Sequence, residues 1–142
     1  MTESQCVFCK LRDGQIPSMK IYEDEATLAF MDINPLTTGH CLVITKNHAA
    51  TLWDAETADL QAAIATAKRL AIALREAVKP DGLNMLQANG AAAFQSVPHF
   101  HLHLIPRWVR DGKGFDWKLV AGDRTAIAGV GERLRAALGD GR

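Results

Sequence analysis

The chain has 142 residues, 48% of them hydrophobic and 23% charged, which suits one domain over residues 1–142 with a real core rather than two. Lys+Arg and Asp+Glu balance at 16 each, so no net field draws the chain to nucleic acid or to an anionic membrane. The opening stretch MTESQCVFCK has no apolar signal core and no run reaches the length of a membrane span, which points to a cytoplasmic protein.

In chain order, MKIYED (19–24) and ATLAFMDI (26–33) read as two strands joined at Glu23-Asp24-Glu25. The segment NPLTTGH breaks the pattern with Asn34-Pro35 and Gly39, and HCLVITK (40–46) follows as a largely apolar strand. A long helix comes next. Leu60, Ile64, Ala67, Leu70, Ala71, Leu74, Ala77 and Val78 recur at three- and four-residue steps, Asp54 is the expected N-cap, and Lys79-Pro80-Asp81-Gly82 ends the run. LNMLQA (83–88) is a strand, NGAAAFQSVP a loop, and HFHLHLIP (99–106) a strand again. A second helix is expected after Asp123, with Ile127, Val130, Leu134 and Leu138 on one stripe. Strands in runs with two inserted helices predict an α+β fold: a mainly antiparallel sheet of about five strands with one long and one C-terminal helix.

Three of the five histidines stand at every second position of SVPHFHLHLIPR. On a strand His99, His101 and His103 share one face, and Phe100, Leu102 and Leu104 form the buried face opposite. Three titratable rings side by side pack poorly and repel when charged, so a site explains them better than a core does. Two chemistries compete. All three imidazoles on one catalytic zinc would make a metal-dependent hydrolase; a neutral imidazole attacking phosphorus would be nucleophilic catalysis. The polar, permissive residues just upstream, Asn89, Gly90, Gln95 and Ser96, suit a loop that handles phosphate oxygens and favour the second. A third reading is a non-catalytic nucleotide-binding regulator. His40, isolated, reads as an ordinary satisfied histidine, and Cys41, within an apolar strand, as a small core residue.

QSVPHFHLHLI resembles the histidine triad (HIT) signature, and the resemblance extends through IYED, AFMDINP and GHCLVI, from about Cys6 to Arg107, leaving a C-terminal extension of about 108–142. It implies a HIT-like fold and a homodimer acting on a purine nucleotide at its α-phosphorus, as in the phosphoramidase and dinucleoside polyphosphate hydrolase branches. It further implies that His101 is the nucleophile that forms a covalent nucleotidyl-histidine. His103 would serve the phosphate and leaving group, Asn89, Gln95 and Ser96 would contact them, and Asp32 would hold the ribose. Phe8, Leu11, Phe30 and Ile33 match the apolar clamp around the base, positions that plain core residues also fill. One departure stands out: the family usually has Gly before the Gln, where this chain has Phe94, and Ala91-Ala92-Ala93 replaces a Gly-containing loop.

With an odd count of three, the cysteines fit a reducing compartment as free thiols or metal ligands. The pair in Cys6-Val7-Phe8-Cys9 is a weak signal alone, and no thioredoxin-like βαβ unit surrounds it. Bacterial HIT proteins with such a pair resemble this chain in a structural zinc site, which here would be Cys6, Cys9, His48 and His99; zinc would then be structural and the chemistry metal-free. Further on, RWVRDGKGFDWK places Arg107, Trp108, Arg110, Lys113 and Trp117 in a loop that either engages nucleotide or is solvated and anchored by its two tryptophans.

Overall fold

The computed structural model describes residues 2–115 and 117–139. Five strands form one antiparallel sheet in the order β1-β2-β3-β5-β4: β1 (Lys20–Glu23), β2 (Thr27–Met31), β3 (Cys41–Thr45), β4 (Gly82–Leu86) and β5 (His101–Arg107). The expected strands are all present, with ends one or two residues from those expected: β1, β2 and β3 are shorter at both ends, β4 begins one residue earlier and ends two earlier, and β5 begins two later and ends one later. With it go α1 (Val7–Arg12), α2 (Thr57–Val78) and α3 (Arg124–Leu138), so the α+β expectation holds. No described helix is long and apolar enough to cross a membrane.

Strands β2 and β3 are buried on both faces, which is why their sequences read as nearly continuous apolar runs. On one face Ala29, Val43, Phe100, Leu102 and Leu104 pack with Cys41 against Ala63, Ala67 and Leu70 of α2. On the other face Leu28, Phe30, Leu42 and Ile44 meet Cys6, Phe8 and Cys9 of the N-terminal segment. The histidines of β5 belong to this second face, because Leu42 pairs with His103 and Ile44 with His101.

The long helix differs from its expectation at two points. Its N-cap is Glu56, not Asp54. The Asp54 carboxylate instead accepts from the N–H and hydroxyl of Thr51 (3.1 and 2.5 Å), closing a turn before the helix starts. Ile64 lies off the buried stripe, half exposed, while Ala63 and Thr66 lie on it. The C-terminus is as the sequence implies: Lys79 takes left-handed geometry (φ +50°) just before Pro80, which disfavours helical backbone in its predecessor.

Helix α1 had no signal in the periodicity, since six residues are too few to show one. Its N-cap is Cys6, whose Sγ accepts the Cys9 N–H at 3.4 Å. Helix α3 starts at Asp123, the carboxylate accepting from the N–H groups of Thr125 and Ala126, and its apolar stripe is exposed. At the end of β5 the Arg107 guanidinium clamps both carboxylate oxygens of Asp111 and also donates to Asn84 Oδ1 and to the Lys113 carbonyl. Trp108 is anchored by its Nε1–H to the Lys79 carbonyl, whereas Trp117 is 80% exposed.

Candidate active site and metal centre

The ladder of β5 begins at His101, two residues later than the alternation predicts. Backbone competition explains the delay. His99 N–H is taken by the Val97 carbonyl at 2.8 Å and Phe100 N–H by the Ala49 carbonyl at 2.7 Å, so the chain bends before it can pair. His99 therefore leaves the row and turns towards the N-terminal segment, while His101 and His103 stay on one face with ring centroids 5.0 Å apart.

His101 is buried at 3% exposure, with the edge of Phe8 packed against it at 5.1 Å. Its Nδ1–H donates to the His99 carbonyl at 2.7 Å, which fixes the tautomer and leaves Nε2 with the free lone pair. Burial lowers its pKa, so the neutral, nucleophilic form is favoured.

His40 is the satisfied histidine the sequence suggests, and it also lies against His103. It is buried, its Nδ1 accepts the Leu36 N–H at 2.9 Å, and so its proton sits on Nε2. That Nε2 lies 2.9 Å from His103 Nδ1 and 3.4 Å from Asp32 Oδ2. The neutral tautomers follow in order: His40 donates to His103 Nδ1, and His103 keeps its own proton on Nε2. Burial depresses both rings, His103 to about 4, with the neighbouring His101 and His40 adding to the effect. Asp32, His40 and His103 are close enough to suggest an ion between them, but coordination through His40 Nε2 would push its proton onto Nδ1, against the Leu36 N–H. His40 and His103 form a hydrogen-bonded pair, with the Asp32 carboxylate 3.4 Å from His40 Nε2.

A cavity of about 260 Å3 opens beside these rings. His101, His103, Asp32 and Ser96 line it together with Phe8, Leu11, Phe30 and Ile33. Phe8 and Phe30 are buried and meet edge to face at 5.4 Å; Ile33 at the rim is 88% exposed. Asn89 and Gln95 are outside this lining. Asn89 Oδ1 accepts from Leu52 N–H (2.6 Å) and from the Gln87 amide (2.9 Å). Gln95 Oε1 accepts from Gly90 N–H (2.8 Å) while its Nε2 donates to the Ala50 carbonyl (2.6 Å). Both amides brace the loop that carries Ser96.

Cys6, Cys9, His48 and His99 converge at one point, their four donor atoms within 4.8 Å of one another. The separations are 3.3 Å for Cys6 Sγ to His99 Nδ1, 3.6 Å for Cys9 Sγ to the same nitrogen, 3.3 Å for Cys9 Sγ to His48 Nδ1, and 3.1 Å between the two Nδ1 atoms. A tetrahedral zinc with ordinary bond lengths would need about 3.5 Å for S–N edges and about 3.3 Å for the N–N edge, so the donor set fits. His99 Nε2–H donates to the Thr45 carbonyl at 2.7 Å, which leaves Nδ1 as the ligand atom, and burial lowers its pKa to about 4, keeping it neutral as coordination requires. Burial pushes the Cys9 thiol up to about 12, aided by its Cys6 neighbour, so an incoming metal must displace that proton. With both His99 nitrogens committed here, the three histidines of the motif cannot share one catalytic ion.

Comparison with known proteins identifies the family. The HIT domain model matches residues 13–109. The adenosine 5′-monophosphoramidase HNT1 of Saccharomyces cerevisiae is 45% identical over 111 residues, 78% of this chain and 66% of that protein. Among solved structures, a HIT family member from Bacillus subtilis superposes with a TM-score of 0.88 at 38% identity, covering 95% of this chain and 98% of that one. A zinc-bound histidine triad protein from Mycobacterium smegmatis gives 0.73 at 36% identity, covering 93% and 99%. The chain belongs to the HIT family.

Proposed function

We propose that the chain is a nucleotide hydrolase that cleaves nucleoside phosphoramidates or dinucleoside polyphosphates at the α-phosphorus through a covalent nucleotidyl-His101. The observation that carries this reading is the pinned tautomer: Nδ1–H on the His99 carbonyl leaves His101 Nε2 as the free nucleophile on a ring that lines the cavity. The phosphoramidase named among the relatives supports the substrate class.

Attack by Nε2 forms the nitrogen–phosphorus bond as the bond to the leaving group breaks. The positive charge this places on the ring is stabilised by the His99 carbonyl. His103, its Nδ1 held by His40, has its Nε2 proton for the departing group and the matching lone pair for the water that next opens the intermediate. Ser96 meets a phosphate oxygen, Asn89 and Gln95 hold its loop in place, and Asp32 takes the ribose hydroxyls. Phe8, Leu11, Phe30 and Ile33 enclose a purine. Zinc on Cys6, Cys9, His48 and His99 is structural: it ties the N-terminal segment to His99, whose carbonyl sets the His101 tautomer. A homodimer is supported by β4, an edge strand whose Leu83, Met85 and Leu86 are exposed.

Intact-protein mass spectrometry after rapid quench with a slow AMP phosphoramidate tests the mechanism. The expected result is a mass gain of one adenylyl group, lost after mild acid treatment; turnover without any adduct at the shortest quench times would replace the nucleophile with activated water.

The buried histidine pair also sets the pH response. Because burial disfavours protonated His103 and His40, both stay neutral below the usual histidine value of about 6.5. The acid limb of kcat/KM is therefore expected well under pH 6, with a flat profile above it. A midpoint at 6.5 or higher would show that these rings titrate as if exposed.

A further inference from the structure

The cavity takes only part of a substrate. At about 260 Å3 it falls just below the roughly 300 Å3 at which pockets begin to enclose whole drug-sized ligands, so it houses one nucleoside and the group leaving phosphorus lies outside. Outside are two loops, 49–56 after β3 and 87–100 before β5. They are stitched together by Leu52 N–H to Asn89 Oδ1, Gln95 Nε2–H to the Ala50 carbonyl, and Phe100 N–H to the Ala49 carbonyl. The second loop reaches the cavity through Ser96 and Val97.

Each of these fixed loops holds a large aromatic ring in water. Phe94 is 92% exposed and Trp53 is 80% exposed. Phe94 also has left-handed backbone (φ +64°, ψ 28°), where glycine is at ease and a bulky residue is strained. Its ring gains no burial and its backbone costs the fold, so folding gives no reason for phenylalanine here. Flat exposed rings on pinned loops are how proteins stack planar groups with little loss of motion.

We propose that Phe94 and Trp53 form an aromatic platform on the leaving-group side of the cavity, selecting substrates whose leaving group carries a flat ring. The ring belongs to an aryl-bearing amine or to a second nucleobase. This rests on reading the cavity as the nucleotide site, and the test separates the two ideas.

Two matched pairs serve as probes: AMP phosphoramidates of 2-(naphthyl)ethylamine and 2-(decahydronaphthyl)ethylamine, and diadenosine diphosphate with ADP-ribose, which differ by one base. The expected kcat/KM ratio favours the flat-ring member about tenfold, within the range of base–aromatic stacking, and falls to near one in Phe94→Gly/Trp53→Ala. Loss in one pair alone identifies the ring selected. A ratio unchanged by the double substitution overturns the platform while turnover leaves the proposed function standing. On a His101→Asn background, calorimetric titration of the same amides reads the platform without chemistry. There, tighter naphthyl binding that disappears with Phe94 and Trp53 upholds it even where the wild type hydrolyses nothing, and equal affinities overturn it.

Discussion

Replacing His101 by Asn is expected to lower kcat by at least about 10^4-fold, the scale on which removing a covalent nucleophile acts, while the protein stays folded. Asn is the informative choice because its side-chain amide reaches no further than the imidazole Nδ1. It can therefore keep the donor to the His99 carbonyl that His101 Nδ1 supplies at 2.7 Å, while deleting Nε2. The smaller side chain leaves a gap beside Phe8, at a cost of about 1–2 kcal/mol, or a few degrees of melting temperature. Single-turnover kinetics with the slow AMP phosphoramidate, beside a thermal melt, make the measurement. A folded variant that retains more than about a tenth of the rate would remove His101 from the covalent role.

The second large effect belongs to the metal centre. Elemental analysis is expected to find one zinc per chain in the wild type and none in Cys6→Ser/Cys9→Ser. A ligand bound a thousandfold above its Kd stabilises the native state by about 4 kcal/mol, worth roughly 10 °C for a chain of this size, and the double variant or a strong chelator should lower the melting temperature by that order. The donors come from three separated stretches, Cys6 and Cys9 on α1 and its cap, His48 after β3, and His99 before β5, so an ion there cross-links segments that packing alone must otherwise hold. A wild type that carries no metal and melts unchanged with chelator would leave the cluster as four packed side chains.

Much of the fold was legible because its signals are local. Alternation in β5, the paired apolar strands, Pro80 after α2 and the Asp123 cap each act within a few residues. The failures have non-local causes. His99 leaves the strand face because carbonyls of Val97 and Ala49 capture the backbone donors around it, and nothing in the His-x-His-x-His spacing encodes that. His40 joins the site only because β3 lies beside β5 with Leu42 opposite His103, a register that spans 61 residues of sequence and is invisible to periodicity. The loop-bracing partners of Asn89 and Gln95, namely Leu52, Gly90 and Ala50, are equally invisible to the spacing. The Cys–His set was legible only through the family resemblance, since the Cys-x-x-Cys pair alone is a weak signal; the structure brings Cys6, Cys9, His48 and His99 together.

The strand order β1-β2-β3-β5-β4 has a consequence for how the molecule is made. The last strand to be synthesised is not an edge: β5 slots between β3 and β4, and β4 has no other neighbour in the sheet. Until residue 107 has emerged, β4 has nothing to pair with and β3 keeps one ladder open, an unpaired edge of the kind that invites misassembly. Closing Cys41 onto Leu104 also demands a long loop closure before any contact rewards it. His101 and His103 thus arrive on the segment that locks the sheet, so a nascent or truncated chain lacking β5 has neither a finished core nor the two rings that line the cavity.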